Sequence, residues 1–366
     1  MKKTGIEKQD ELLGDIRVRI DAIDDQMLTL LNARAQCAEE VAEIKMQAEP
    51  VFYRPEREAQ ILNRLKKTNP GPLADENVTR LFREIISCCL ALEQPLSIAF
   101  LGPPGTYTEA AAIKQFGQFA RTRSSASIDE VFRDVESGDA HYGLVPVENS
   151  TEGMVNQTLD CLINSPLRIC SEVELPIRHM LMANKNLQPD KLSRIVSHQQ
   201  SLAQCRHWLD SNWPTVERVA VASNAEAAKF ASQQTGVAAI AGETAADQYG
   251  LQILAHNIED QKDNKTRFLV LGKQEVGPSG NDKTSILVSV RNEPGALYRI
   301  LEPFHRHNVS LSRIETRPSR SSDWSYVFFI DFDGHQQDAE IIKLLDEVGG
   351  ESRQVKILGS YPQAIA

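Results

Sequence analysis

The sequence contains no apolar run approaching the roughly 18 residues that a membrane-spanning helix needs. It has no C-x-x-C pair among its six cysteines, Cys37, Cys88, Cys89, Cys161, Cys170 and Cys205. That spacing argues against a thiolate metal site or a redox motif, and the cysteines read as reduced core residues. Of eight histidines only His305 and His307 stand close together, too few for a metal centre. Basic blocks are also missing. The 40 Lys+Arg are outnumbered by 50 Asp+Glu, for a formal net charge of −10, which argues against a nucleic-acid partner. The opening stretch MKKTGIEKQDELLGD has no apolar centre and does not read as a signal peptide, so a cytoplasmic location is expected. What is present is ordinary globular composition over 366 residues, 41% hydrophobic and 25% charged, enough for two or three domains.

Residues 9–48 are polar but periodic. Ile16, Ile20, Ile23, Met27, Leu30, Arg34, Cys37, Val41 and Ile44 alternate steps of four and three, a heptad seam. A helix of that length is about 60 Å long, too long to bury its stripe on the two short helices predicted at 55–67 and 75–93. A partner chain is implied. Arg34 occupies a seam position, and a buried guanidinium is costly unless an anion answers it. Lys45, close to three turns further on, projects from the same face. Arg17 lies about 100° round the axis and about 25 Å back, out of reach of the same small ligand in one chain.

After Gln94-Pro95 the pattern changes. Short apolar strands alternate with helices from LSIAFLG (96–102) to RFLVLG (267–272), which predicts an α/β region with largely parallel sheets in two lobes around a cleft. KQEVGPSGNDK (273–283) reads as a linker. The remainder reads strand, helix, strand, strand, helix, strand, a ferredoxin-like βαββαβ module. One question is local: in NKTRFLVLG (264–272) a threonine stands between two cations at the mouth of a strand, in an acidic chain.

The order Arg17…Arg34…Lys45…Arg57-Glu58…Glu93 resembles the all-helical chorismate mutase domain, with 8–94 as its extent. The resemblance implies an interlocked helical dimer in which each site takes one arginine from the partner. It implies that Arg17 (from the partner) and Arg34 bind carboxylates. Lys45 and Glu93 would contact the breaking ether oxygen, and Glu58 would hold the ring hydroxyl. Arg54, Arg57 and Cys89 complete the expected chorismate set. This chain departs from the family pattern at Arg54, at Cys89 and at Glu93, where many relatives have glutamine. The rearrangement needs no nucleophile or base, only a held conformer and stabilised charge.

The segments GPPGTYTEAA (102–111), VPVENSTEG (145–153), SHQQSLAQC (197–205), AAIAGETAADQYGL (238–251) and NKTRFLVLG together resemble prephenate dehydratase over 96–272, two α/β lobes of the periplasmic-binding-protein kind. The resemblance implies a prephenate site formed by Thr106, Asn149, Ser150, Thr151, Gln200, Ser201, Thr266, Arg267 and Phe268, with Thr266 tied to turnover. Arg267 would pair with a substrate carboxylate, and Phe268 would keep the departing carboxylate poorly solvated. The family has proline where this chain has Gln199.

The last module, 284–362, resembles an ACT regulatory domain. Its GAL (Gly295, Ala296, Leu297) and ETRP (Glu315, Thr316, Arg317, Pro318) match the family's phenylalanine-binding motifs. The expectation is therefore a bifunctional enzyme taking chorismate to prephenate and on to phenylpyruvate. It would need no cofactor or metal, act as a homodimer or higher even oligomer, and be inhibited by phenylalanine. Two rivals are a binding protein with a helical stalk, and a dehydratase whose helical part serves only dimerisation.

Overall fold

The computed structural model describes residues 5–45, 51, 53–290, 293–318 and 326–364. Helix α1 (Gly5–Lys45) is followed by α2 (Pro55–Thr68) and α3 (Asp75–Glu93). Pro50, expected to end the first helix, lies outside the described residues. Pro55 sits in the first turn of α2, with acids at that end and Lys66 and Lys67 at the other, as the helix dipole favours. The end of α1 packs on α3, with Ala38 buried, but from Leu12 to Leu31 every Leu, Ile, Val and Met of α1 is exposed. Among the described residues nothing covers the heptad stripe from Leu12 to Leu31.

The α/β region begins with β1 (Ser97–Leu101), α4 (Tyr107–Phe116), β2 (Arg121–Ser125), α5 (Ile128–Ser137), β3 (Tyr142–Asn149), β4 (Gly153–Met154), α6 (Asn156–Asn164) and β5 (Arg168–Pro176). The chain then crosses to a second lobe. That lobe holds β6 (Met180–Ala183), β7 (Arg194–His198), α7 (Gln199–Gln204), α8 (Arg206–Asn212), β8 (Glu217–Val221), α9 (Asn224–Gln233), β9 (Val237–Ala241), α10 (Glu243–Tyr249) and β10 (Gln252–Ala255). Strand β11 (Lys265–Gly272) returns to the first lobe. The sheet orders are β2-β1-β3-β11-β5 (with β4 on β3) and β10-β6-β9-β7-β8.

The expectation of largely parallel sheets needs correcting. β11 is antiparallel to both β3 and β5, and β6 is antiparallel to β9 and β10. The double crossing causes the first of these, because the returning strand enters between two strands that run the other way. One helix expected at 200–210 is broken at Cys205 into α7 and α8. Strands β2 and β10 escaped the reading. Both are short sheet edges, where a polar stretch such as RTRSS is tolerated.

The final module is β12 (Asp282–Val290), α11 (Ala296–Arg306), β13 (Leu311–Pro318), β14 (Tyr326–Asp333), α12 (Ala339–Glu351) and β15 (Gln354–Pro362), with sheet order β13-β14-β12-β15. One sheet face packs on the two helices through Ile286, Ile330, Phe332, Phe304 and Leu344. The other face does not stand free. Leu287, Phe329, Leu358 and Tyr361 share a core with Val145, Leu269 and Leu271 of the first lobe. Gly359 allows this approach, since a Cβ there would lie 2.2 Å from the Ile169 carbonyl oxygen. The segment read as a linker is packed as well. Val276 is buried, and Gln274 accepts from the Tyr142 hydroxyl at 2.7 Å and donates to the Tyr53 carbonyl at 2.9 Å. Tyr53 in turn fixes the helical domain, its ring 5.0 Å from Phe116 and its hydroxyl accepting from Gln115 at 2.7 Å.

Candidate active sites

The helical domain encloses a cavity of about 570 Å³ between α1, α2 and α3. Arg34 and Lys45 reach it from α1, Arg57 and Glu58 from the first turn of α2, Arg54 from just before it, and Cys89 and Glu93 from α3. All seven same-chain residues expected around chorismate therefore line one space. Arg17 does not; it is exposed on the uncovered part of α1. Lys45 Nζ donates to Glu93 Oε2 at 2.8 Å. Glu58 is buried and accepts from Arg83 Nε at 3.1 Å. Burial raises its carboxyl above the usual range, and the Arg83 charge only partly offsets this. The sequence reading missed Arg83 and Arg64. Each is one more arginine on a charged helix, and only packing shows which side faces inward.

The second site lies in the cleft between the two α/β lobes, a space of about 370 Å³. The crossing segments are tied together, with the Ile177 amide donating to the Asn264 carbonyl at 2.8 Å and the Ile258 amide to the His179 carbonyl at 2.9 Å. Thr266 sits where β11 leaves this crossing, buried and facing the cleft. Its strand partner is Asn149. The Asn149 side-chain oxygen Oδ1 accepts from the backbone amides of Thr151 (3.0 Å) and Glu152 (3.1 Å). That fixes which way the side-chain amide points. Its Nδ2 donates to Thr266 Oγ1 at 2.8 Å and to Asn264 Oδ1 at 2.9 Å. The threonine oxygen is thus an acceptor towards Asn149, and its own proton is left to point elsewhere.

Thr106 caps α4 at the cleft wall, and Gln200 and Ser201 face it from the second lobe. Ser201 donates to Asn224 Oδ1 at 3.0 Å. Ser150 supports Asn264 and the Lys265 amide, and Thr151 faces an adjoining space of about 750 Å³. Arg267 and Phe268 are corrections. Neighbouring residues of a strand point to opposite faces, so Arg267 turns its back on the cleft. It binds Glu172 at 2.7 Å, Asp331 at 2.7 Å and the Tyr361 hydroxyl at 3.0 Å. Phe268 is buried in the core beneath α4 with Ile98 and Phe116. Neither residue lines the cleft.

Other cleft residues were missed. His179 is buried, its Nδ1 2.8 Å from the Tyr107 hydroxyl and its Nε2 2.8 Å from Gln204 Oε1. Burial lowers its pKa, so the imidazole is neutral at pH 7. Gln204 Nε2 is buried with no hydrogen-bond partner among the described residues. Gln204 stood inside SHQQSLAQC, and only its orientation was hidden. His179 gave no signal beyond being a lone histidine next to a strand.

In the regulatory module Gly295 adopts φ +78° just before α11, and Leu297 is exposed. On β13 the motif divides by face. Thr316 and Pro318 are exposed, whereas Arg317 points to Asp160 of α6, at 2.8 Å. Arg317 is therefore a link to the dehydratase lobe, against its expected place around the effector.

Known proteins agree with this division. Residues 16–94 match the type II chorismate mutase family, 98–276 the prephenate dehydratase family and 284–350 the ACT domain. A bifunctional chorismate mutase/prephenate dehydratase from Pseudomonas aeruginosa is 55% identical, covering 98% of this chain and 99% of its own. The structure of Arthrobacter aurescens prephenate dehydratase in complex with L-Phe superposes with a TM-score of 0.68 at 35% identity, over 74% of this chain and 90% of that one. The quorum-quenching acylase GqqA gives the same TM-score at 29% identity, over 73% and 98%, so likeness of fold alone does not name the reaction. End-to-end identity with a two-activity relative does, and the chain belongs to the bifunctional chorismate mutase/prephenate dehydratase family.

Proposed function

We propose that the two reactions are divided between the two cavities, with the residues that line each of them in the following roles. In the helical cavity Arg34 and Arg57 hold the carboxylates of chorismate, and Lys45 stabilises the ether oxygen as its bond breaks. Glu58, kept in place by Arg83, takes the ring hydroxyl. Glu93 accepts from Lys45 and so orients it, and it can itself donate to the ether oxygen only when protonated. Arg17 completes the site from a second chain, which also covers the exposed stripe of α1. A homodimer or higher even oligomer in the cytoplasm is our reading; all six cysteines are free thiols, in keeping with a reducing compartment.

In the cleft Thr266 donates to the departing hydroxyl of prephenate while the ring carboxylate leaves as CO₂. The observation that carries this is the Asn149 amide donating to Thr266 Oγ1, which directs the hydroxyl proton away from Asn149. The substrate carboxylates are received by the N-terminal ends of α4 and α9, whose capping residues Thr106 and Ser223 both line the cleft, and where backbone amides favour anions. This replaces the carboxylate role expected of Arg267. Phenylalanine binds at the regulatory module around Gly295 and Thr316 and lowers dehydratase turnover. The domain limits are taken as 8–94, 96–272 and 284–362. The test follows chorismate consumption and phenylpyruvate formation on one preparation. Wild type should form phenylpyruvate, and Thr266→Ala should consume chorismate and accumulate prephenate. Phenylpyruvate formed at the wild-type rate by Thr266→Ala would sink the assignment.

A further inference from the structure

Glu148 and Arg267 are paired across β3 and β11, one position from the paired Asn149 and Thr266. Alternation along a strand puts the second pair on the cleft face and the first on the face that the regulatory sheet covers. There Arg267 meets Asp331 of β14 and Tyr361 of β15, and Glu148 meets Arg313 of β13. Arg313 also lies 3.8 Å from Asp331. Glu172 of β5 binds both Arg267 and Lys283 of β12, at 2.7 and 2.8 Å. Asp331 has its other oxygen occupied by Ser285 at 2.6 Å. Three cations thus balance three carboxylates in a layer that is buried around Arg267, Glu172 and Asp331 and opens to solvent at Glu148; every strand of the regulatory sheet contributes a member, and both strands of the cleft pair are gripped from behind. A β-bulge falls between Arg267 and Phe268, and such irregularities re-aim neighbouring side chains.

We propose that Arg267, through its ion pair with Asp331, is a positioning residue for the dehydratase reaction: it ties the backbone that carries Thr266 to the regulatory sheet, so that a shift of that sheet changes the aim of the Thr266 hydroxyl. The proposal rests on Thr266 being the hydrogen-bond donor to the departing hydroxyl. An ion-pair layer suits this task because short, charge-assisted contacts from one guanidinium to three partners, Glu172, Asp331 and Tyr361, tolerate little displacement, and they break into discrete alternatives more readily than they stretch. A small misplacement of a donor is costly to rate while leaving substrate affinity much as it was.

The test uses the full-length chain and measures mutase and dehydratase kinetics on the same preparations. Asp331→Asn keeps the shape and removes the charge. It should lower dehydratase kcat by about tenfold, with KM for prephenate within about twofold and mutase kinetics unchanged. Arg267→Gln should do the same, and the double variant should cost no more than the worse single one, because the pair acts as a unit. Tyr361→Phe, which strands no charge, should shift kcat in the same direction by less. In a Thr266→Ala background Asp331→Asn should change nothing further. A large rise in KM from Arg267→Gln with Asp331→Asn silent would return Arg267 to the substrate and overturn the proposal. So would wild-type kcat in Asp331→Asn, or an Asp331→Asn effect that persists without the Thr266 hydroxyl. A fully active Thr266→Ala would instead remove the reading on which the proposal rests.

Discussion

On the proposed division of the two reactions, the helical cavity releases prephenate and the inter-lobe cleft receives it, and the two spaces are furnished in opposite ways. The cavity is lined by charges: Arg34, Arg54, Arg57, Arg64 and Lys45 against Glu58 and Glu93. The cleft is lined mainly by hydroxyls, amides and imidazoles, among them Thr266, Asn149, Gln200, Ser201, Asn224 and His179, with Glu152 as its one carboxylate and no Lys or Arg among the described residues. The difference follows from the chemistry. A rearrangement that moves no proton is served by fixed charge around a dianion. An elimination needs a donor whose proton is aimed, and a fixed cation beside the departing carboxylate would stabilise the ground state it has to leave. Arg17 stands outside the helical cavity of its own chain, and on the proposed reading a second chain supplies it, whereas the lining of the cleft comes from one chain.

The largest effect is expected at Thr266. Thr266→Ala should lower dehydratase turnover by about 10²–10⁴-fold with mutase activity retained. Thr266→Ser keeps the hydroxyl and loses only the methyl that restricts its rotamer, so most of the activity should remain. Equal, small effects from both would make the residue a plain strand former. The shared mutase site is tested next. Arg17→Ala and Arg34→Ala should each be nearly inactive as mutases. Mixed in equal amounts after subunit exchange, they should recover about a quarter of the wild-type rate, the share of sites that random pairing supplies with both arginines. Confirmed exchange without recovery would mean that each chain makes its own site.

Two smaller effects concern the regulatory module. Gly295 has a left-handed backbone (φ +78°) that a β-branched residue resists. Gly295→Val should therefore raise the phenylalanine concentration needed for half-inhibition of the dehydratase by about tenfold or more, each variant being compared with its own uninhibited rate. Inhibition at the wild-type concentration would place the effector elsewhere. The last effect is on stability. Burial pushes the Asp331 carboxyl upward, but Arg267, Ser285 and Arg313 outweigh it, and the net shift is below the ordinary 3.8. Such an acid adds stability above its unfolded value and loses it as pH falls through the lower folded value. Wild type should out-melt Asp331→Asn by on the order of 5 °C at neutral pH, and the gap should close below about pH 4. A gap that is constant with pH would show that the Asp331 charge contributes nothing.

The helical domain was the most legible part of the sequence. Pro55, NPGP at 69–72 and Gln94-Pro95 mark helix limits by covalent geometry, and helical spacing alone places Arg34 and Lys45 on one face. The cleft was half legible. Thr266, Asn149, Gln200 and Ser201 fall where motif order placed them, but Arg267 and Phe268 were assigned by adjacency. Period-two alternation, also readable in the sequence, separates Arg267 from Thr266. Arg317 beside Thr316 repeats the lesson. Phe268 shares the alternation of Thr266 and is lost to the core for another reason, depth below α4. His179, Arg83 and the ion-pair layer were beyond reach, because each depends on which segments distant in the sequence are brought together or on which side of a helix is covered.

The double crossing has one more consequence, for the order in which the protein comes into being. All five strands of the second lobe lie between Met180 and Ala255, whereas the first lobe takes its inner strand β11 from Lys265–Gly272. During synthesis the second lobe has its full set of strands while the first still has an open seam between β3 and β5. A polypeptide halted near residue 260 would carry one finished lobe and one exposing unpaired strand edges, the kind of surface that seeks other chains. The strand that brings Thr266 into the cleft is thus also the one that closes that seam, so the hydroxyl reaches its place in the same step that removes the hazard.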